Sequence, residues 1–414
     1  MLSILSTTGR LVALKWAPLL AWFLAGYLVH YLVIEVAAFF GATSAIIGIA
    51  IMPLAVLARL ISFIAMFFVL RDAMPAFQSL ADRGETVETL TPRPRINEVL
   101  LVSILPFFAF YAAWKFLTDD TQQYAVAALA KYNPFDGGQA GRPLDIEVNP
   151  ITIGIVIVAF AARYLLKRYA EKLPRWTSLI AVYLEALWVY LTVLLISTYT
   201  DQVGAWIDSR AAVTWYEHAK DDVLQFFAPL GWAWSGIEFV IGEVSGLVLL
   251  PIAWLAIAGV VYGRALSAAA AVRIPGAFQR LTGRVPTAIA RRGRDIGNDF
   301  LDRWRPLANA LVLIWRAGVV PIGAFVLLYV VLDAGRYWLT LAATRVIGPH
   351  DLGAWWSNFD TILLFVVQLL VEPLRIALIA ATYNYALGQL EERREAAAAD
   401  PATTPSADSA AAAR

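Results

Sequence analysis

The chain has 414 residues, of which 60% are hydrophobic and 16% are charged, whereas soluble proteins carry about 25% charged residues, so this composition excludes an ordinary soluble fold. The 33 Lys and Arg against 32 Asp and Glu give a net charge of +1, which excludes a nucleic-acid-binding protein that acts through bulk positive charge. The lack of Cys excludes disulfides, thiolate metal sites and cysteine nucleophiles.

Apolar runs long enough to cross a membrane dominate the chain. A helix of about 20 apolar residues spans the hydrocarbon core of a bilayer. Eight runs of this kind lie at 14–39, 44–70, 98–118, 150–170, 176–199, 236–263, 307–333 and 359–387. The first is too long for a signal peptide, whose apolar region has about 7 to 15 residues. The sequence therefore predicts an all-α polytopic membrane protein with eight transmembrane helices in a single membrane domain, 1–395.

Proline recurs at similar places in these runs, which indicates internal repeats. The even-numbered runs carry Pro53, Pro150, Pro251 and Pro373, each followed by Leu or Ile. This pattern predicts four helical hairpins inserted in the same direction, as parallel pseudo-repeats. The alternative is that Pro is simply frequent in membrane helices, so that the pattern arises without duplication.

Lys and Arg are concentrated in alternate connections, and cytoplasmic connections carry the positive charge. We therefore expect 71–97, 171–175, 264–305 and both termini in the cytoplasm. On the other side we expect 119–149, 201–235 and 334–358, of which the first two mix apolar and acidic residues as short interfacial amphipathic helices do. The Ala- and Pro-rich tail, 396–414, is expected to be disordered. The Ala- and Arg-rich, Cys-free composition is typical of a bacterial protein and predicts the plasma (inner) membrane.

Charged residues inside the apolar runs are the best candidates for function, because each costs about 2.5 to 3.5 kcal/mol to insert. The candidates for a substrate site or for structural ion pairs are Arg59, Glu185, Arg316, Glu372 and Arg375. We expect Arg59 to pair with Glu185 or with Glu372. Glu372 and Arg375 are three residues apart on one helix, beside Pro373, and should pair with each other. Such a set forms either a transport site or a structural network.

Other charged groups lie nearer the membrane surfaces. His30, Glu238 and Glu243 are candidates for proton coupling, with carboxylates that simply reach water as the alternative. A basic cluster is expected to contact anionic lipid at the cytoplasmic face; it comprises Arg291, Arg292, Arg294, Arg303 and Arg305. Asp295, Asp299 and Asp302 share a helix face in the same segment, where they either hold Mg²⁺ and a lipid pyrophosphate or form salt bridges with these arginines.

No phosphate-loop, dinucleotide, zinc-protease or serine-hydrolase motif occurs, so no cofactor or metal site is predicted. Three functional classes remain. The first is a transporter or permease-like protein for a small or lipidic substrate, and the second is a non-catalytic subunit or scaffold that binds a membrane-protein partner or a second copy of the chain. The third is an intramembrane lipid-modifying enzyme. A hydrated cavity that reaches Arg59, Glu185 and Glu372 would favour transport over scaffolding.

Overall fold

The computed structural model describes residues 1–77, 96–113, 116–132, 150–169, 172–174, 176–208, 245–266 and 318–399, with isolated positions at 308, 311, 312 and 315. The described residues are almost entirely helical and contain no strand. The helices are α1 (Leu2–Gly41), α2 (Ala45–Arg71), α3 (Ile96–Ala113), α4 (Phe116–Lys131), α5 (Pro150–Arg168), α6 (Thr177–Asp208), α7 (Ser245–Leu266), α8 (Val319–Ile347) and α9 (Ser357–Ala399), with a π-helical turn, Leu352–Trp356, before α9.

Five stretches of described helix are long and apolar enough to cross a membrane. They lie in α1, α2, α6 and α8 and in Leu352–Gln389, which contains most of α9. Shorter apolar stretches occupy Ser103–Ala113 in α3, Thr152–Leu166 in α5 and Leu247–Tyr262 in α7. These helices support a membrane protein with several transmembrane helices. The count of eight spans remains a prediction.

The outer surface of the bundle is apolar, as expected for contact with lipid. On α8, Val320 is 83% exposed and Trp338 is 70% exposed. In the most apolar 18-residue stretch of α8, only 17% is buried within the bundle, whereas 72% of the corresponding stretch of α2 is buried. A soluble monomer does not leave an apolar surface of this extent in water. The contrast places α8 at the periphery and α2 at the centre of the bundle.

The contacts between helices differ from the predicted set of four hairpins. α1 packs extensively on α2, and α8 packs on α9, as two of the hairpins require. However, α5 packs mainly on α6, so the fourth run pairs with the fifth rather than with the third. The buried ion pair between Arg163 of α5 and Glu185 of α6 joins these two helices. Four equivalent hairpins are therefore not confirmed.

The connection after α3 contains a helix that packs inside the bundle. The predicted run 98–118 is divided, because α3 ends at Ala113 and Phe116 already begins α4. α4 packs on α1 and α3, and its buried face carries Leu117, Asp120, Tyr124 and Ala128. The spacing of three or four residues between these positions puts them on one side of a helix. At the other end of the chain, α9 continues to Ala399, four residues into the predicted tail.

Two glycines let α1 and α2 meet closely where the chain reverses. A Cβ atom on Gly48 would lie 2.3 Å from the hydroxyl oxygen of Tyr124, 2.8 Å from the Cα of Gly41 and 2.9 Å from the carbonyl oxygen of Ala37. Two of these three neighbours are backbone atoms of α1 and cannot rotate away. The junction of α1, α2 and α4 therefore requires Gly at position 48.

We predict that Gly48→Ala destabilises the protein by about 1 to 3 kcal/mol, because the added methyl group must force the two helices apart. Gly323→Ala in α8 is the matched control, since nothing lies within 4 Å of the added Cβ and Ala favours a helix by about 0.5 to 1 kcal/mol. Thermal unfolding in detergent measures both variants. Equal stability of the two would show that α1 and α2 are not packed as described.

Candidate functional site

A cavity of about 370 Å³ lies at the centre of the bundle, between seven of the nine helices. The described residues that line it belong to α1, α2, α3, α4, α7, α8 and α9, and none of them belongs to α5 or α6. Among the described residues, its walls carry three arginines and four carboxylates, together with tyrosine, glutamine and apolar aromatic side chains. The charged members are Arg59, Arg336, Arg375, Asp119, Asp120, Asp333 and Glu372.

The most buried charge of the cavity is Asp120, whose exposed fraction is 0%. Its Oδ2 accepts a hydrogen bond of 2.5 Å from the hydroxyl of Tyr111. Its Oδ1 lies 3.2 Å from Nε2 of His30 and 3.6 Å from Nη1 of Arg59. Arg59 Nη1 also donates to the Tyr111 hydroxyl at 2.8 Å. Residues from α1, α2 and α3 thus surround one carboxylate of α4.

The partners of Asp120 keep this buried carboxylate ionised. α4 is not one of the helices that are apolar enough to span the membrane. Burial by itself would raise the pKa of the Asp120 carboxyl, whereas the charge of Arg59 and the hydrogen bonds from His30 and Tyr111 lower it. The net effect is a pKa below the usual value. Asp120 therefore acts as a fixed negative charge behind Arg59.

A second ion pair of the cavity lies on α9, where Arg375 Nη2 is 2.5 Å from Glu372 Oε2. The predicted pairing of these two residues is confirmed. The Arg375 guanidinium also lies over the ring of Trp254, 4.7 Å from its centroid, an arrangement that attracts a cation to the face of the ring. The side chains of Glu372 and Arg375 are mostly buried. Pro373, which lies between them in the sequence, interrupts the backbone hydrogen bonding of α9.

The third pair, on α8, joins Arg336 Nη2 to Asp333 Oδ1 at 3.2 Å. Arg336 also lies against the ring of Tyr337, 4.8 Å from the centroid. Asp119 is different, because it is exposed on the cavity wall and has no hydrogen bond or ion pair to any described residue. Three carboxylates of the cavity are thus paired with arginine and one is open.

The expected pairing of Arg59 with Glu185 is wrong. Glu185 is buried against Arg163 of α5 and forms an ion pair with it, while Arg59 pairs with Asp120. The reason is that α5 packs on α6 and supplies the nearest cation. Arg163, which falls within the predicted span 150–170, is 8% exposed. Arg59 and Glu372 line the same cavity, and their charges interact.

The remaining candidates are distributed as follows. His30 is buried beside Asp120 and its Nδ1 lies 2.9 Å from the carbonyl oxygen of Ala55. It does not line the cavity, and its role in proton coupling stays a prediction. The other candidates lie outside the described residues: Arg316, Glu238, Glu243, Asp295, Asp299, Asp302, Arg291, Arg292, Arg294, Arg303 and Arg305.

Sequence reasoning missed Asp120, because it assigned 119–149 to an interfacial connection. The information was present in the spacing of α4. Leu117, Tyr124 and Ala128 define one apolar face, and Asp120 falls on that face whereas Asp119 does not. A carboxylate on the apolar face of an amphipathic helix requires a cationic or hydrogen-bonding partner, and Arg59, which had been assigned to Glu185 or Glu372, is that partner. The sequence gives no indication, beyond their aromatic character, that Tyr111 and Trp254 line the cavity.

Comparison with known proteins gives no significant match to a family model, a curated protein or a solved structure.

We predict that Asp120→Ala and Asp119→Ala differ strongly, although the residues are adjacent. Removing Asp120 takes the carboxylate away from Arg59 and from the buried His30, and because Arg59 is 26% exposed and keeps some contact with water we expect a cost of about 1 to 3 kcal/mol. Asp119 is exposed and unpaired, so its loss should change stability by less than about 0.5 kcal/mol. Thermal unfolding in detergent measures both. If Asp120→Ala is as stable as Asp119→Ala, Asp120 does not hold the cluster together.

Proposed function

We propose that the chain is a transporter or permease-like protein of a bacterial plasma membrane, and that its substrate site is the cavity lined by Arg59, Glu372 and Arg375. The observation that supports this proposal is the cavity itself, which is lined by seven helices and has charged and aromatic walls. Its volume of about 370 Å³ lies at the lower end of the range for small-molecule sites, about 300 to 1,000 Å³. A structural ion network needs no such space.

The contrast between two ion pairs favours this function over a scaffold. Arg163 and Glu185 form a pair with exposed fractions of 9% and 1%, away from the cavity. Arg59 is 26% exposed and lines the cavity. A dry pair stabilises the bundle, whereas an arginine that is open to a cavity is available to a ligand. Three of the five charged candidates within the spans, Arg59, Glu372 and Arg375, line the cavity.

The expected topology puts the cavity in the middle and outer half of the membrane. Tyr111 lies near the end of α3 and Asp119 near the start of α4, which the distribution of positive charge assigns to the outer side. The other walls come from the interior of α1, α2, α8 and α9. A transporter in this conformation would receive its substrate from outside and would need a second conformation to release it in the cytoplasm.

The test uses the natural lack of Cys. Gln368→Cys places a thiol on the cavity wall, and Val189→Cys places one in the buried face of α6 away from the cavity. Gly138→Cys and Ser406→Cys mark the outer and inner sides of the expected topology. We predict that a membrane-impermeant thiol reagent labels the Gln368→Cys protein both in intact cells and in inverted vesicles, because a transporter exposes its site alternately to the two sides.

The Val189→Cys protein should be labelled from neither side of the membrane. The Gly138→Cys protein should be labelled only from outside, and the Ser406→Cys protein only from the cytoplasmic side. Labelling of Gln368→Cys from one side alone would contradict transport and would favour a receptor or a scaffold with a fixed pocket. Failure to label it from either side would show that the cavity is dry.

A further inference from the structure

The cavity offers one guanidinium edge that is free to bind a ligand. Arg59 uses Nη1 for Tyr111 and Asp120, and its Nε and Nη2 have no hydrogen bond to any described residue. The side chain lines the cavity and is 26% exposed, and neither Nε nor Nη2 is among the buried polar atoms that lack a partner, so this edge is open to the cavity. Two parallel N–H donors on one edge match the two oxygens of a carboxylate or a phosphate.

The other two arginines of the cavity do not present this edge. In Arg375, Nη2 is held by Glu372 and Nε is sealed from solvent. In Arg336, Nη2 is held by Asp333 and Nε is likewise buried. Among the described residues of the cavity, Arg59 is therefore the one arginine with an open Nε and Nη2 edge.

The open carboxylate of Asp119 supplies the opposite charge. Asp119 directly precedes Asp120 on α4, and it lines the same cavity as Arg59. With four carboxylates against three arginines, the lining already carries a net negative charge. A ligand that brought only an anion would increase this excess, whereas an ammonium group near Asp119 would offset it.

Aromatic rings line the space beside these groups. Phe63 and Trp254 meet edge to face with their centroids 5.0 Å apart, and the rings of Tyr111 and Phe116 are 5.5 Å apart. Such a wall contacts an apolar or aromatic body through dispersion and the hydrophobic effect. The cavity thus combines one free bidentate donor, one free carboxylate and an apolar surface.

From this combination we propose that the substrate is a small zwitterion, whose carboxylate or phosphate binds the Nε and Nη2 edge of Arg59 and whose ammonium group binds Asp119. This assignment rests on the proposed transport function. The same chemistry occurs in a free amino acid with an apolar side chain and in the head group of a zwitterionic phospholipid. The two sources are separated by the choice of probe.

The experiment measures how far three matched probes protect the Gln368→Cys protein, purified in detergent, from an uncharged thiol reagent. Phenylalanine carries both charges, 3-phenylpropanoate carries only the anion and phenethylamine carries only the cation. Leucine tests a second apolar amino acid, and glycerophosphoethanolamine represents the lipid head group. We expect a zwitterion to protect at about tenfold lower concentration than either singly charged probe, because each charged contact adds at least that factor.

Two variants separate the roles of the charges. Arg59→Gln should make phenylalanine no better than phenethylamine, and Asp119→Asn should make it no better than 3-phenylpropanoate. Arg71→Gln and Asp72→Asn are the matched controls, because this pair lies outside the cavity at the end of α2. They should retain the selectivity of the parent protein. Because Arg59→Gln also removes the ion pair with Asp120, Asp119→Asn provides an independent test at an exposed residue.

Protection by glycerophosphoethanolamine and by neither amino acid would assign the site to a lipid head group. Protection by an amino acid alone would assign it to a free solute. If no zwitterion protects at millimolar concentration, or if the singly charged probes protect equally well, the assignment is wrong. If Gln368→Cys is labelled from both membrane sides but no zwitterion protects it, the transport function stands and the zwitterion assignment fails. If it is labelled from one side only and a zwitterion protects it, transport is rejected and the zwitterion site stands.

Discussion

The centre of the bundle depends on one buried negative charge, the carboxylate of Asp120. A carboxylate without exposure to water is costly unless it is neutralised and hydrogen-bonded. Arg59 of α2 neutralises the charge of Asp120, and Tyr111 of α3 donates a hydrogen bond to it. His30 of α1 contacts the same carboxylate. Four helices must come together to satisfy this single group. Their arrangement in turn fixes the guanidinium of Arg59 at the edge of the cavity.

The same arrangement explains why Arg59 can have two roles. One nitrogen is occupied by Asp120 and Tyr111, which hold the side chain in place, and the opposite edge remains open. A ligand therefore meets a donor pair whose position is already set, and little conformational entropy is lost when it binds. Arg163, by contrast, is buried with Glu185 between α5 and α6, where it joins two helices and contacts no cavity.

Much of the fold and part of the site can be predicted from the sequence. The apolar runs give the helices, because a membrane helix needs only length and apolarity. The cost of a charge in hydrocarbon identifies Arg59, Glu185, Glu372 and Arg375 as paired or functional, and all four are paired. Partners on different helices cannot be predicted in this way, since they depend on which helices are neighbours. Arg59 was matched to the wrong carboxylate for this reason, whereas Asp120 was missed because 119–149 was assigned to an interfacial connection.

The most direct test of the central interaction is a double-mutant cycle on Arg59→Gln and Asp120→Asn, measured as unfolding free energy in detergent. The two changes should be non-additive, with the double variant more stable than the sum of the single losses by about 0.5 to 3 kcal/mol, the range for residues in direct contact. A parallel cycle on Arg59→Gln and Glu185→Gln should be additive. Additive losses for Arg59 and Asp120 would contradict the account, because the cavity would then not be organised around this carboxylate.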